Sequence, residues 1–392
     1  MKPLAISGFT ATSALGRGCK AHYEALKAER GGLRHEAFES CTLDTWVGAV
    51  EGLEAPLPPA LRAWDCRNNR LAELGLQQDG FLEAVAAARR HYGPRRIAVY
   101  MGTSTSGVQQ AELAYQARAG TEGPLPDWFD YRHTQNTFSI ADFVRVRLEL
   151  DGPCAALSAA CASSAKVFAS AARALQSGIA DAAVVGGVDS LCLTTLYGFN
   201  ALQLLSRNVC RPADAARDGL SLGEAAGFAL LERDATSATQ LLGYGESNDA
   251  YHMSSPQPDG RGAREAMVAA LARGNTAAVR VDYVNLHGTG TPANDLAEDK
   301  AVAALLGREV PCSSTKGWTG HTLGAAGALE AALTLLCLQH GWLPRSLNTQ
   351  AKDLRFQGNV LLQGRSAPLH RALSNSFGFG GANCSLLFGV EA

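Results

Sequence analysis

Three side chains in this sequence have the types and surroundings needed for covalent chemistry: one thiol and two imidazoles. Cys161 sits in Leu157-Ser158-Ala159-Ala160-Cys161-Ala162-Ser163-Ser164, directly before an alanine-rich stretch that reads as a helix. A thiol at a helix N-terminus feels the positive end of the dipole, which favours thiolate, and backbone N–H groups there can hold an oxyanion. His287 ends the apolar run 281–286 and opens Gly288-Thr289-Gly290-Thr291-Pro292. A tight turn at that point aims an imidazole at a carbonyl, with hydroxyls nearby. His321 follows Ser313-Ser314-Thr315-Lys316-Gly317-Trp318-Thr319-Gly320 and precedes a second helix of small residues. A helix N-terminus disfavours imidazolium, so a neutral, hydrogen-bonding His321 is expected. Lys316 lies in the same turn, and Glu298, after the threonine turn, is its expected partner. The combination points to thioester chemistry on a cysteine.

The elements that must carry these residues are short apolar strands alternating with alanine-rich helices, the pattern of an α/β fold. Strands are predicted at 4–8, 97–101, 183–188, 226–232, 281–286, 309–313, 371–376 and 383–388. Helices are predicted at 19–28, 81–91, 162–177, 262–273, 296–306 and 324–340. The last of these is apolar all round, and 162–177 is rich in small residues, so both are expected to be buried between layers of sheet. A polar break near 233–240 divides the chain into two similar halves. Residues 1–235 hold Cys161, and residues 236–392 hold His287, Lys316 and His321. The aromatic and polar segment 110–150 reads as an insertion that contacts a second subunit. Near the C-terminus, Asn375-Ser376-Phe377-Gly378-Phe379-Gly380-Gly381-Ala382-Asn383 is a glycine-rich loop between two strands. It lacks the lysine and helix of a P-loop, so it suits close backbone approach to a substrate rather than nucleotide binding.

The whole chain sets bounds on the reading. With 392 residues, 46% hydrophobic and 18% charged, it is globular and long enough for a large core. A net charge of -2 argues against a bulk nucleic-acid binder. The 10 cysteines are scattered without a C-x-x-C pair, so neither a zinc site nor a disulfide framework is indicated. The N-terminus is a strand and a glycine turn, not a leader, and no membrane span is expected, which makes a cytoplasmic protein the simplest reading. His22, His35, His91, His133 and His340 read as surface or packing residues.

These motifs, in this order, resemble the β-ketoacyl-acyl-carrier-protein synthases, condensing enzymes of the elongating type. The resemblance spans nearly the whole chain: the cysteine block 157–164, His-Gly-Thr-Gly-Thr-Pro at 287–292, Ser-Ser-Thr-Lys at 313–316, Gly-His at 320–321, and the loop 375–383. Asp295, Glu298 and Arg217-Asp218-Gly219 also match. It implies a thiolase-like, five-layered αβαβα fold built from two similar halves, usually as a homodimer. It implies a decarboxylative Claisen condensation with no metal or organic cofactor. Cys161 would carry the acyl group, and His287 and His321 would hold the malonyl thioester carbonyl. Lys316 and Glu298 would support the site and fix His321. The N–H groups of Cys161 and Phe379 would form the oxyanion hole, and Thr289, Thr291, Thr105 and Phe379 would contact substrate.

The partner so implied is acyl-carrier protein, which is acidic, so a basic docking patch is expected at Arg62, Arg67 and Arg70, with Arg207 and Arg211 as further candidates. The chain departs from relatives in a shortened stretch at 204–212, in Asn294, and in the hydroxyl-rich loop Gly102-Thr103-Ser104-Thr105-Ser106-Gly107-Val108. That loop would suit a specialised acyl chain such as a polyene or aryl primer. The competing readings are a non-elongating, chain-length-factor-like subunit of a heterodimer and a Cys–His hydrolase. Such partner subunits usually lack the nucleophilic cysteine, and a hydrolase needs a base with an Asn or Asp orienter.

Overall fold

The computed structural model describes residues 1–35 and 38–390. Its ten principal strands form one continuous mixed sheet with a repeated plan. The first five are β1 (Leu4–Ser13), β2 (Ile97–Gly102), β3 (Cys154–Leu157), β4 (Ala182–Asp189) and β5 (Ala225–Glu232). The second five are β6 (Thr239–Asn248), β7 (Tyr283–Asn285), β8 (Pro311–Ser313), β9 (Arg371–Gly378) and β10 (Ala382–Val390). Their spatial orders are β1-β5-β4-β2-β3 and β6-β10-β9-β7-β8. In each set the first two pairings are antiparallel and the last two parallel. The sets meet where Leu4 lies opposite Leu241 and Ala5 opposite Gln240. The same order and the same strand directions appear twice, so the continuous sheet is a first and a second five-stranded sheet of one architecture, joined at this short pairing.

The helices in chain order are α1 (Gly18–Lys27), α2 (Arg67–Leu76), α3 (Phe81–Tyr92), α4 (Val108–Gln116), α5 (Ser139–Arg147) and α6 (Ser163–Gln176). They continue with α7 (Leu193–Ala201), α8 (Arg261–Arg273), α9 (Pro292–Leu306), α10 (Lys316–Thr319) and α11 (Ala326–His340). Three apolar clusters show how they stack. Leu71, Phe81 and Phe143 of α2, α3 and α5 pack on the outer face of the first sheet. Phe168 of α6 and Leu335 of α11 sit in a central cluster with residues of both sheets. Met267 of α8 and Val302 of α9 cover the outer face of the second sheet. The result is five layers, with α6 and α11 in the middle.

The small residues expected to permit close packing do so. A Cβ on Gly327 of α11 would lie 2.4 Å from the backbone nitrogen of Ala165 in α6, so the two helices cross at backbone contact near their N-termini. Leu323–His340 is long and apolar enough to cross a membrane by length and composition, but 89% of it is buried inside the protein. A helix with sheets on both sides has no polar face to keep.

The sequence reading missed β3 and β6 and the helices α2, α4, α5, α7 and the one-turn α10. β6 begins inside the expected break, because its alternating Gly243 and Gly245 hide the strand pattern. Those glycines let α8 press on the sheet: a Cβ at Gly245 would sit 1.8 Å from Ala266 O. The segment 110–150 contains the end of α4 and all of α5, and exposes Tyr115, Trp128, Tyr131 and Phe138.

Candidate active site

The chemistry gathers where the central helices begin. Cys161 lies in the turn from β3 to α6, and His321 in the corresponding passage from β8 to α11. Ala160, before the cysteine, has φ +47°, a conformation that strains a residue with a Cβ and fixes the sharp turn. Because α6 and α11 cross near their N-termini, the two turns meet. His321 Nε2 lies 2.9 Å from Cys161 Sγ. His287 completes the group, its ring edge-on to that of His321 with centroids 5.4 Å apart. All three side chains are buried.

Two glycines shape the His287 turn. Gly288 has φ +38° and Gly290 φ +81°, and added Cβ atoms would lie 2.5 Å from Ser314 Cβ and 2.7 Å from Gly219 O. Glu298 holds the turn from beneath: its carboxylate accepts the His287 and Gly288 N–H groups, both at 2.8 Å, and the Asn375 amide at 3.1 Å. Burial pushes Glu298 up to about 7, against these donors.

The expected Lys316–Glu298 pair is not formed, and Lys316 does not touch His321. Lys316 Nζ pairs with Glu330 of α11, donates to His287 O at 2.6 Å, and lies 3.3 Å from His287 Nδ1. Lysine and glutamate are 1% and 3% exposed, so neither charge has water as an alternative partner. Sequence reasoning passed over Glu330. The available signal was a lone acid in an otherwise apolar helix, which must find a cation if it is buried.

These contacts fix both histidine tautomers. An ammonium only donates, so His287 Nδ1 accepts and the ring proton is on Nε2. The Leu323 N–H donates to His321 Nδ1 at 3.3 Å, which puts that proton on Nε2 as well. Burial holds both imidazoles well below the usual histidine range, and the Lys316 charge adds to it. Two neutral Nε2–H donors therefore serve one pocket. Cys161 Sγ and the two imidazoles lie within 4.8 Å of one another, a spacing that would also suit a metal, but the neighbouring ammonium repels a cation.

The expected thiolate is not favoured at rest. Burial pushes the Cys161 thiol up to about 12, outweighing the pull of Lys316 and of the Phe379 N–H directed at the sulfur. A cavity of about 240 Å³ opens on these groups and is lined also by Thr289, Thr291 and Phe379. The two threonine hydroxyls are hydrogen-bonded at 2.8 Å, and the Phe379 ring rests on Phe199.

Other expected residues lie elsewhere. Thr105 does not line this cavity: its hydroxyl donates to buried Asp189 at 2.8 Å. Thr103 does the same, Ser104 donates to Ala160 O and Ser106 to Asn136 O, so the loop's hydroxyls are satisfied within the protein rather than presented to substrate. Arg67 is bound to fully buried Glu224, which also accepts the Val50 and Leu191 N–H groups. Arg70 pairs with Asp65 at 2.7 Å, and Arg211 with Asp218 at 3.5 Å. Arg62 and Arg207 remain exposed.

Two family models divide the chain between them: the β-ketoacyl synthase N-terminal domain matches residues 1–237 and the C-terminal domain residues 238–350. The chain belongs to the β-ketoacyl synthase family. It is 31% identical to 3-oxoacyl-[acyl-carrier-protein] synthase 2 of Vibrio cholerae over 98% of both chains, and 32% identical to that of Coxiella burnetii over 97% of both. In solved structures it matches a chain from a ketosynthase in complex with its chain length factor from Xenorhabdus doucetiae. That match has 36% identity and a TM-score of 0.90, covering 100% of this chain and 98% of the other. A β-ketoacyl synthase from Burkholderia phymatum matches with 29% identity and a TM-score of 0.89, each chain covered fully. The thiolase-like fold and the condensing-acyltransferase class of this synthase follow from these likenesses.

Proposed function

We propose that this synthase condenses an acyl group held on Cys161 with malonyl-acyl-carrier protein in fatty acid or polyketide assembly. The observation that carries the reading is the convergence of a thiol and two Nε2–H donors on one cavity. In the first half-reaction the Cys161 S–H exchanges with the acyl thioester, and the proton leaves on the carrier thiol. In the second, His287 and His321 donate to the malonyl thioester oxygen as the carboxylate departs as carbon dioxide. The enolate carbon then attacks the acyl-Cys161 carbonyl, whose oxyanion is held by the Cys161 and Phe379 N–H groups. The C–S bond breaks and the thiol is restored on protonation. Lys316, Glu330 and Glu298 keep the two donors in place, and Thr289 and Thr291 line the passage for the carrier's arm.

The partner is acyl-carrier protein, with Arg62 and Arg207 as docking cations. The protein works in the cytoplasm as a dimer. The edge strand β3 and the exposed aromatics of 110–150 support a subunit contact there. A heterodimer with a related subunit is favoured as a second reading by the complex from Xenorhabdus doucetiae, in which a ketosynthase pairs with its chain length factor. Retention of Cys161, His287 and His321 supports the catalytic member of such a pair. Intact mass spectrometry with acyl-loaded carriers, followed by malonyl-carrier protein, tests the reading. An acyl adduct on the wild type but not on Cys161→Ala, chased into a product two carbons longer, is expected. No adduct from any donor, alone or with a partner subunit, would overturn it.

A further inference from the structure

Outside the groups that meet substrate, one buried carboxylate touches the segments that carry them. Asp189 ends β4 with no exposed surface. Its Oδ1 accepts the Thr103 hydroxyl, the Thr105 hydroxyl at 2.8 Å and the Ser104 and Thr105 N–H groups at 3.0 Å. Its Oδ2 accepts the Ser104 N–H at 2.9 Å and the Gly324 N–H at 2.6 Å. Two separate loops are thus tied to one side chain, and each reaches a catalytic group by a further bond. Ser104 donates its hydroxyl to Ala160 O at 3.0 Å, the carbonyl just before Cys161. Gly324 follows Leu323, whose N–H fixes His321 Nδ1 at 3.3 Å. The contact is too tight for water: a Cβ on Gly324 would lie 2.6 Å from Ser104 N and 2.7 Å from Asp189 Oδ2.

We propose that Asp189 is a positioning residue that sets Cys161 and His321 in register and couples both to the 103–106 loop. A displacement of that loop draws on the carboxylate that anchors the His321 turn, so the acyl-bearing and the decarboxylating groups respond together. An ordinary loop anchor would affect only the first. This inference rests on the condensing reading.

The test uses the full chain with Asp189→Asn and Thr105→Val. The asparagine amide must turn an N–H₂ towards donors, and valine keeps the shape of threonine while deleting one tie. Carbon dioxide release from malonyl-carrier protein reads the histidines, and octanoyl transfer from octanoyl-carrier protein, followed by intact mass, reads Cys161. Asp189→Asn is expected to slow both reactions about tenfold or more, with KM for malonyl-carrier protein within about twofold of wild type. Thr105→Val is expected to slow both about threefold. If either variant loads slowly but decarboxylates at the wild-type rate, the coupling is wrong. Should Asp189→Asn not fold, Thr105→Val decides alone by the same criterion. A wild type that performs neither reaction refutes the condensing reading itself, a result distinct from failure of the coupling.

Discussion

Replacing Lys316 by Met removes the cation beside His287 and takes from buried Glu330 its ion-pair partner. Burial already pushes Glu330 up to about 7, with Lys316 holding it down. Without the ammonium it rises further. Breaking a buried pair from one side costs about 3–5 kcal/mol, but a carboxylate that can take a proton escapes part of that cost. The sign follows from linkage. A carboxylate whose folded value lies above its unfolded one makes the fold progressively less stable as pH rises between the two values. In the wild type this loss ends near pH 7. In Lys316→Met it continues, at up to about tenfold in the folding equilibrium per pH unit. Urea unfolding at pH 6, 7, 8 and 9 should therefore show a gap between variant and wild type that widens above pH 7. The double variant Lys316→Met with Glu330→Leu should close most of that gap, since an apolar pair replaces an ionic one. Malonyl decarboxylation should stay low in both, by roughly 10²-fold, because the His287 tautomer and carbonyl are no longer pinned. A gap constant from pH 7 to 9, or activity restored in the double variant, would refute the charge argument.

Further outcomes are expected. Since burial holds His287 and His321 well below the usual range, both stay neutral as pH falls through 6.5, and their imidazole NMR shifts should stay flat there, whatever limb Glu298 and Glu330, both pushed up to about 7, put on kcat; a shift that titrates near 6.5 would refute the neutral assignment. Gly290→Ala forces a Cβ onto a residue with φ +81° and to 2.7 Å from Gly219 O, and should lower stability by about 1–3 kcal/mol in thermal unfolding. Arg207→Glu should raise KM for the carrier at low salt, with the effect fading as ionic strength rises. Arg67→Ala should instead lower stability by about 3 kcal/mol, by stranding Glu224, and leave the salt dependence of KM unchanged.

The grouping of Cys161, His287 and His321 was legible in the sequence because each sits in a turn of small residues. The tight turn around Gly288 and Gly290 shows this directly. The central helices were legible for the same reason, since nothing in 324–340 reads as a polar face apart from Glu330. Partnerships were less visible. Lys316 lies 18 residues from Glu298 and 14 from Glu330 in the chain, and only the crossing of α11 over the β8 turn chooses between them. The arginines of 62–70 read as a basic patch, since spacing does not tell that Arg67 faces inward to Glu224. The hydroxyls of Thr103 and Thr105 looked available to a substrate because Asp189, their acceptor, is more than 80 residues away in the chain.

The shared strand order also sets the sequence in which the halves can assemble. In each sheet the fifth strand lies between the first and the fourth. The first half has all its strands once Glu232 has been made. The second lacks its inner pair, β9 and β10, until the chain reaches Val390. Fifty residues separate the end of α11 from that point, which is roughly 3–10 s of synthesis. Through that interval the apolar helix α11 is sheltered by α6, α1 and the first sheet but lacks the second sheet's inner strands. A lesion in the first half should therefore reach the cell as aggregation nucleated by α11, and deletion of the last strand should release a chain whose first half is folded and whose second half has no core.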